Sequence, residues 1–225
     1  RVEILALALA ARQAGLYVAV LSTHLTPAEV AYIVQDCGAR LVVASHKTLP
    51  QLAESQAAHP LPCWTVDDAT PQALSLQAAL QALQGPTADF QDRPLGRDLL
   101  YSSGTTGRPK GVLKPLQPSH LRGQTDPEAL GTARLMGMDE HTVYLSPAPL
   151  YHAAPLRYTM RVLELGGQAV IMERFDAETA LALIERHRVT HSQWVPPMFG
   201  RLLKLPEEAR RRHDLSSHRL AIHAA

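Results

Sequence analysis

The polar and apolar positions along the chain follow two patterns that alternate from one end to the other. Stretches with apolar residues spaced three and four apart, as on one face of a helix, are separated by short apolar runs typical of buried strands. Such alternation predicts βαβ units, in which helices cover both faces of a parallel sheet. The pattern predicts helices over 2–14, 26–38, 49–58, 71–83, 155–165 and 177–187, another after residue 115, and strands over 17–21, 40–44, 63–66, 98–101, 142–145, 168–172 and 190–194.

Several helix boundaries are marked by residues with a defined capping role. Thr26, followed by Pro27 and by Glu29 three positions after it, matches a capping box with proline at the first helical position. Gly15 and Gly38 stand where the periodic patterns stop, which is typical of a helix C-terminus. These signals predict where the first two helices begin or end.

The segment 123–127, Gly-Gln-Thr-Asp-Pro, interrupts the alternation and predicts a domain boundary near residue 125. We therefore expect one subdomain over 1–125, which ends in the phosphate-binding segment described below, and a second over 126–225. The polar stretch 85–97 is predicted to be a surface loop. The predicted fold class is α/β, with two mostly parallel β-sheet subdomains flanked by helices.

Composition and charge narrow the class of protein. Hydrophobic residues make up 46% of 225 residues, and 22 basic against 21 acidic side chains leave a net charge of +1. This balance lacks the basic surface expected for binding nucleic acid or an anionic membrane. Cys37 and Cys63 stand outside any metal-ligand or disulfide spacing, so we expect a cytoplasmic protein. The apolar run 4–11 is far shorter than the roughly 20 residues that span a bilayer, and is predicted to be a buried helix.

The segment 101–112, Tyr-Ser-Ser-Gly-Thr-Thr-Gly-Arg-Pro-Lys-Gly-Val, carries the strongest chemical signal. Hydroxyl side chains and glycines follow directly after a predicted strand, and Lys110 comes soon after them. Backbone amides in a glycine-rich turn bind anions, hydroxyl groups add donors, and a lysine adds a positive charge. Because ligands of open α/β sheets bind beyond the carboxyl ends of strands, this placement indicates a polyphosphate site.

The order of residues in this segment differs from two common phosphate-binding motifs. A P-loop requires Gly-Lys followed by Ser or Thr, whereas Lys110 is preceded by Pro109, and the segment does not match GxGxxG either. On these residues alone, a Ser/Thr/Gly-rich turn that joins two strands and binds nothing is the alternative.

The whole string resembles the phosphate-binding signature of the adenylate-forming (AMP-binding) superfamily, which includes acyl-CoA synthetases, nonribosomal adenylation domains and beetle luciferases. The family string is Tyr-Thr-Ser-Gly-Thr-Thr-Gly-x-Pro-Lys-Gly-Val, and this chain departs from it only at Ser102, which keeps the hydroxyl group. The resemblance implies that Ser102 contacts Mg²⁺ and that Lys110 is a catalytic residue. It implies ATP-phosphate binding by Ser102, Ser103, Gly104, Thr105, Thr106, Gly107 and Lys110.

Two later segments resemble parts of the same family. Residues 146–155, Ser-Pro-Ala-Pro-Leu-Tyr-His-Ala-Ala-Pro, resemble its Pro-Leu-aromatic-His segment, which implies a catalytic or gating role for His152 beside the pantetheine channel. Residues 191–199 resemble the strand and helix start that border the acyl pocket. From the residues alone, His152 is equally well interpreted as a partly buried structural histidine, and the run 191–199 as core. The resemblance implies that the substrate pocket includes Tyr151, His152, Trp194, Val195, Pro196 and Met198.

The resemblance implies activation of a carboxylic acid, a fatty acid in the leading interpretation, to an acyl-adenylate that is passed to CoA. ATP, CoA and the acid would be the small-molecule partners and Mg²⁺ the cofactor, with no nucleic acid and no transmembrane segment. Alternatives are a domain that loads a carrier protein, an aryl-acid CoA ligase and, in a different class, a noncatalytic ATP-binding module. The family's Tyr-Gly-x-Thr-Glu string is absent, as are its ribose-binding Gly-Asp segment and C-terminal lysine, which implies the N-terminal portion of a longer enzyme, inactive by itself.

Overall fold

The structure is a computed structural model that describes residues 2–83, 89–102, 108–122, 124 and 127–223. It divides into two compact units, Val2–Ser119 and a second that begins at His120. Residue 125, at which the predicted boundary lies, is outside the described residues. So are five residues of the signature: Ser103, Gly104, Thr105, Thr106 and Gly107.

The first unit builds three small sheets from short strands. Strands β2, β3 and β4 form a parallel sheet, β1 pairs in parallel with β5, and β6 pairs antiparallel with β7. In chain order its elements are α1 (Glu3–Gln13), β1 (Tyr17–Val18), α2 (Pro27–Asp36), β2 (Val42–Ala44), a 3-10 turn (Leu49–Leu52), α3 (Ala53–Ala58), β3 (Cys63–Thr65), β4 (Leu74–Ser75), α4 (Leu76–Ala82), β5 (Arg97–Asp98), β6 (Leu100–Ser102) and β7 (Lys110–Val112).

Helix α2 organises the core of the first unit, and its ends are the predicted ones. The Thr26 hydroxyl oxygen accepts the Glu29 amide at 3.3 Å, while the Thr26 amide donates to the Glu29 carboxylate at 2.8 Å, so the capping box is confirmed. Gly38, with φ +61°, follows its C-terminus in the left-handed region that glycine adopts without strain. Val30 and Val34, on the apolar face of the helix, are buried together with Leu52 of the 3-10 turn, Cys63 of β3 and Ala73.

The second unit contains one four-stranded parallel sheet in the order β11-β10-β8-β9. After a 3-10 turn (Ser119–Leu121), its elements are α5 (Pro127–Leu135), β8 (Val143–Ser146), α6 (Ala153–Glu164), β9 (Gln168–Ile171), α7 (Ala177–His187), β10 (His191–Trp194), α8 (Pro196–Leu203), α9 (Glu207–Arg211) and β11 (Leu220–His223). Alternate residues of β8 point to opposite faces of this sheet. Tyr144 is buried with Ala133 of α5 and Val162 of α6, whereas Leu145 is buried with residues of α7 and α8. Helices therefore cover both faces, as the sequence predicts.

Most helices and strands confirm the pattern of apolar residues, and the differences are corrections. The predicted strand 98–101 is divided between β5 and β6, which belong to different sheets. The predicted surface loop 85–97 ends in buried Leu95 and Gly96 and in Arg97 of β5. The predicted strand 17–21 pairs only at Tyr17–Val18, opposite β5. The predicted helix 71–83 begins at Leu76, because Leu74 and Ser75 pair with β3 and the Ser75 hydroxyl caps the helix by accepting the Ala78 amide at 3.4 Å. The signature segment ends in β7, an antiparallel strand that the sequence analysis did not predict. In the described part of the chain, no helix is long and apolar enough to cross a bilayer.

Candidate nucleotide and substrate site

Ser102 and Lys110 are register partners at the end of the β6–β7 hairpin where the connection between the two strands begins and ends. The Ser102 hydroxyl group donates a long hydrogen bond of 3.5 Å to the Lys110 carbonyl oxygen, and both side chains are exposed. An ammonium group and a hydroxyl group therefore stand on either side of residues 103–107, for which the signature predicts phosphate binding. Both groups could contact an anionic ligand without loss of a buried partner.

The aromatic residue that opens the signature fixes the position of the hairpin. Tyr101 is the register partner of Gly111, and a side chain added at Gly111 would meet the Tyr101 ring at 3.0 Å. The missing side chain thus leaves room for the ring. The Tyr101 hydroxyl group donates a short hydrogen bond to the carboxylate of Asp36, the last residue of α2. Burial, followed by this hydrogen bond, raises the pKa of Tyr101 well above its usual range, so the phenol stays protonated and donates.

On the other side of residues 103–107, Arg108 contacts the same helix. Its guanidinium carbon lies 5.4 Å from the centre of the Tyr32 ring, within the range of a cation–π interaction. Tyr32 lies one helical turn before Asp36 on α2, so the two contacts share one face of the helix. Tyr32 and Asp36 were not predicted as site residues from the sequence. The one signal available for them there was two polar side chains at helical spacing.

Tyr151 and His152 lie in the connection from the carboxyl end of β8 to α6, on the sheet edge where open α/β folds bind ligands. His152 is the N-cap of α6 in extended conformation, and its carbonyl oxygen accepts the Leu156 amide at 3.2 Å. The Tyr151 and His152 ring centres are 4.5 Å apart. Partial desolvation lowers the pKa of His152 below the usual value of a histidine, so the neutral imidazole, which has one donor and one acceptor nitrogen, predominates at neutral pH.

The four other predicted pocket residues differ in how far they are buried. Trp194 is 2% exposed and Met198 is 8% exposed, and both belong to the core between the sheet, α7 and α8. The Trp194 ring packs against Phe175 with ring centres 6.1 Å apart. Val195 packs on this core in part, whereas Pro196 is exposed. Trp194 and Met198 therefore stabilise the second unit, and a pocket role for the four residues stays a prediction.

The parallel sheet of the second unit also contains buried polar side chains that were not predicted as site residues from the sequence. Ser192, in the middle of β10, is fully buried, and its hydroxyl oxygen lies 2.7 Å from His218 Nε2 and 2.5 Å from Trp194 Nε1. Because the indole can only donate, Ser192 accepts from Trp194 and can donate to His218. The hydrogen bonds orient the Trp194 ring. The signal in the sequence was a run of three polar residues, His191, Ser192 and Gln193, inside a predicted strand.

The structure brings the predicted site residues together in separate groups. Ser102 pairs with Lys110 in the first unit, Tyr151 contacts His152 in the second, and Trp194 and Met198 share a core there. Their joint action in one site stays a prediction.

The comparisons with known proteins agree with the signature. The family model described as AMP-binding enzyme matches residues 1–225. The chain is 30% identical over 203 residues to a 4-coumarate–CoA ligase of Pinus taeda, covering 88% of this chain and 37% of the relative. It is 27% identical over 190 residues to the 2-succinylbenzoate–CoA ligase of Bacillus licheniformis, covering 84% of this chain and 36% of the relative.

Solved structures give the same result for the fold. The crystal structure of ATP-bound MatB from Rhodopseudomonas palustris is 25% identical, with a TM-score of 0.75, and the match covers 100% of this chain and 43% of that chain. The chain spans little more than a third of the length of the two curated relatives, at 36% and 37%. With a family match over its whole length, the chain belongs to the AMP-binding enzyme family, whose members include CoA ligases.

Proposed function

We propose that the chain is the ATP-binding portion of a ligase that activates a carboxylic acid as an acyl-adenylate and transfers the acyl group to CoA. One observation carries the proposal: exposed Ser102 and Lys110 pair across a hairpin whose connection holds the remaining Ser, Gly and Thr residues of the signature. Family membership and the CoA-ligase names of the relatives support it. The similar MatB structure is ATP-bound, which supports nucleotide binding by this chain.

In the first half-reaction, a carboxylate oxygen of the substrate attacks the α-phosphate of ATP and pyrophosphate leaves. Both reactants are anions, so the protein must offset charge as well as hold the two groups in line. Lys110 provides a permanent positive charge on an exposed strand end, where it would stabilise the negative charge of the attacked and departing phosphates. In the second half-reaction, the CoA thiolate attacks the acyl carbon and AMP leaves.

The described residues fit a magnesium ion that arrives with ATP better than a preformed metal site. Among them, no group of three or more His, Cys, Asp and Glu side chains could hold a metal ion. Mg²⁺ prefers oxygen ligands and is commonly held by a few protein oxygens together with substrate phosphates. The Ser102 hydroxyl group, exposed and bonded to the Lys110 carbonyl oxygen through its proton only, keeps its lone pairs for such a contact. Bound there, the ion would offset phosphate charge.

His152 suits a polar role toward the acid rather than that of a fixed positive charge. The lowered pKa keeps its imidazole neutral at neutral pH, so one ring nitrogen can donate to a carboxylate or acyl-phosphate oxygen. Tyr151 contacts its ring and limits the orientations available to it. We therefore propose that His152 orients the reacting carboxylate.

The substrate acid is proposed to be either a fatty acid or an aryl acid. The signature segment gives no information on the structure of the acid. In the sequence analysis, the leading interpretation of the family resemblance is a fatty acid. The curated relatives favour the second candidate, because their names give 4-coumarate and 2-succinylbenzoate, which both contain an aromatic ring, as the acids that they activate.

Both cysteines are free thiols, which supports the proposed cytoplasmic location.

Carboxylate-dependent exchange between ATP and pyrophosphate, measured on the complete gene product, tests the proposal. The panel would contain straight-chain acids of increasing length and several cinnamic and benzoic acids. Exchange with one class of acid, followed by CoA-dependent thioester formation, is the expected result. ATP binding without exchange for any acid would refute adenylation and favour the noncatalytic ATP-binding module. Acyl transfer to a carrier protein in place of CoA would favour the alternative acceptor.

A further inference from the structure

Helix α2 contacts both of the segments that carry the candidate ATP ligands. Asp36, its last residue, accepts a hydrogen bond from the Tyr101 hydroxyl group, and Tyr101 directly precedes Ser102. Tyr32, one turn earlier, lies under the Arg108 guanidinium group at 5.4 Å, and Arg108 is two residues before Lys110. Residues at these spacings share one face of a helix, so a single rigid surface meets both segments.

The base of the hairpin is attached to the rest of the unit, since Leu100 is buried and the Leu99 amide donates to the Val18 carbonyl oxygen at 2.9 Å, whereas the end that carries Ser102 and Lys110 is exposed. Strands β6 and β7 have three residues each, all three residues of β7 are exposed, and in the described structure the two strands pair with each other alone. A two-stranded hairpin of this size is marginal without packing against another element. The Tyr101 ring packed over Gly111 and anchored at Asp36 supplies part of that support.

The choice of residue at the end of α2 points the same way. An acidic side chain in the last turn of a helix is disfavoured by the helix dipole, and the last turn of α2 contains no basic residue. Asp36 therefore does not stabilise the helix. Its carboxylate instead fixes the Tyr101 hydroxyl group, a contact between residues 65 positions apart. On the same side of the helix, Glu29, Tyr32, Arg108 and Pro109 line a shallow hollow between α2 and the segment that leads into β7.

We propose that Tyr32 and Asp36 are positioning residues for the nucleotide site, which hold Ser102 and Lys110 at the spacing that ATP requires by anchoring Arg108 and Tyr101. The inference rests on the proposed function, since it assigns the hairpin to ATP. The proposed role of both residues acts through Arg108 and Tyr101 and requires no contact with the nucleotide. Loss of either anchor would not change the side chains of Ser102 and Lys110, but these side chains would occupy a wider range of positions in the free protein. Part of the binding free energy of ATP would then be used to fix their positions. The affinity for ATP falls, while the acid site is unaffected.

The test compares four single variants of the complete gene product in the exchange assay: Tyr101→Phe, Asp36→Ala, Tyr32→Leu and Tyr32→Phe. The first three are expected to raise the KM for ATP about 2- to 10-fold, the range for loss of one hydrogen bond or cation–π contact, with the KM for the acid unchanged. Tyr32→Phe keeps the ring face under Arg108 and should behave as wild type. A merely structural role would instead lower the active fraction, and therefore kcat, without separating the two KM values.

Two controls sharpen the result. Glu54→Gln removes an exposed acid from α3, away from the hairpin, and should leave both KM values unchanged. The double variant Tyr101→Phe with Asp36→Ala should be no worse than the more impaired single variant, because one contact is removed in both cases. If Asp36→Ala does not fold, Tyr101→Phe and Tyr32→Leu carry the comparison.

Limited trypsin digestion separates failure of this inference from failure of the proposed function. Lys110 is exposed and precedes Gly111, and looser anchoring should speed cleavage after Lys110 in the three anchor variants even without ATP. If the wild type shows no exchange but the variants are cleaved faster, adenylation fails and the positioning role stands. If the wild type shows exchange and the folded variants keep its KM for ATP, the positioning role is wrong.

Discussion

Replacement of Gly96 by alanine would disturb the packing of the end of α1 against the segment that leads into β5. Gly96 is buried just before β5, and its amide donates to the Arg12 carbonyl oxygen at 2.7 Å. A methyl group added there would lie 2.0 Å from the Leu16 carbonyl oxygen and 2.6 Å from that of Ala11. Both are backbone atoms, which cannot rotate away, so the end of α1 and the turn into β1 must move away from residue 96.

The expected cost combines overpacking, about 1–3 kcal/mol, with a weakened backbone hydrogen bond, about 1 kcal/mol, for a total of about 3 kcal/mol. For a domain of this size that corresponds to a fall of about 6–12 °C in melting temperature. Thermal unfolding followed by far-ultraviolet circular dichroism measures it directly. The matched control is Gly200→Ala in α8, where the added methyl group has no neighbour within 4 Å beyond the adjacent residues and the backbone of its own helix, and helix propensity should raise stability slightly. A Gly96→Ala protein that melts within about 2 °C of wild type would refute the steric argument.

Three further predictions follow from other described residues. Lys110→Ala should slow ATP–pyrophosphate exchange about 100- to 1,000-fold. The midpoint of urea unfolding should not change, because Lys110 is exposed, and Lys204→Ala is the control. A Lys110→Ala enzyme with the full exchange rate would contradict the catalytic role of Lys110. Burial, together with the neighbouring His191, lowers the pKa of His218 in the folded protein. The stability that this residue contributes is therefore present above about pH 6.5 and is lost as the pH falls through the lower pKa of the folded state. His218→Gln should make the free energy of unfolding less dependent on pH between about pH 7.5 and 5.5, and an unchanged pH dependence would contradict this role of His218. Thr26→Ala should cost about 1 kcal/mol by removing the cap of α2, Thr26→Ser should restore it, and equal urea midpoints for all three proteins would exclude the cap as a source of stability.

Local signals in the sequence predicted those elements whose ends depend on neighbouring residues. The capping box at Thr26 and the glycine stop at Gly38 involve residues within a few positions of each other, and both are present in the structure. The largely apolar runs of β8 and β9 were predicted as strands because burial on both faces leaves a nearly continuous apolar pattern.

The elements that the sequence analysis missed depend on distant partners. Leu74 is in a strand because β3 lies beside it, whereas the residues around it favour a helix. Strand β7 forms because β6 offers it a partner across the signature segment. At the site, Ser102 and Lys110 are register partners, and their roles toward ATP stay predictions. The contact of Tyr101 with Asp36 spans 65 positions and leaves no periodic trace in the sequence. Burial of Trp194 and Met198 likewise became clear only once α7 and α8 were placed against the sheet.

The small hairpin of β6 and β7 has a consequence for the hierarchy of local unfolding. Its strands are short, and β7 buries none of its three residues, so the free energy needed to open it is well below that of the sheet formed by β8 to β11. In hydrogen exchange, its amides should belong to the fast class and become protected in proportion to bound ATP. Nucleotide affinity and global stability are then set by different parts of the chain, and substitutions at Tyr32 and Asp36 can change the first while the buried residues of α2 and of the sheets, which determine the second, stay the same.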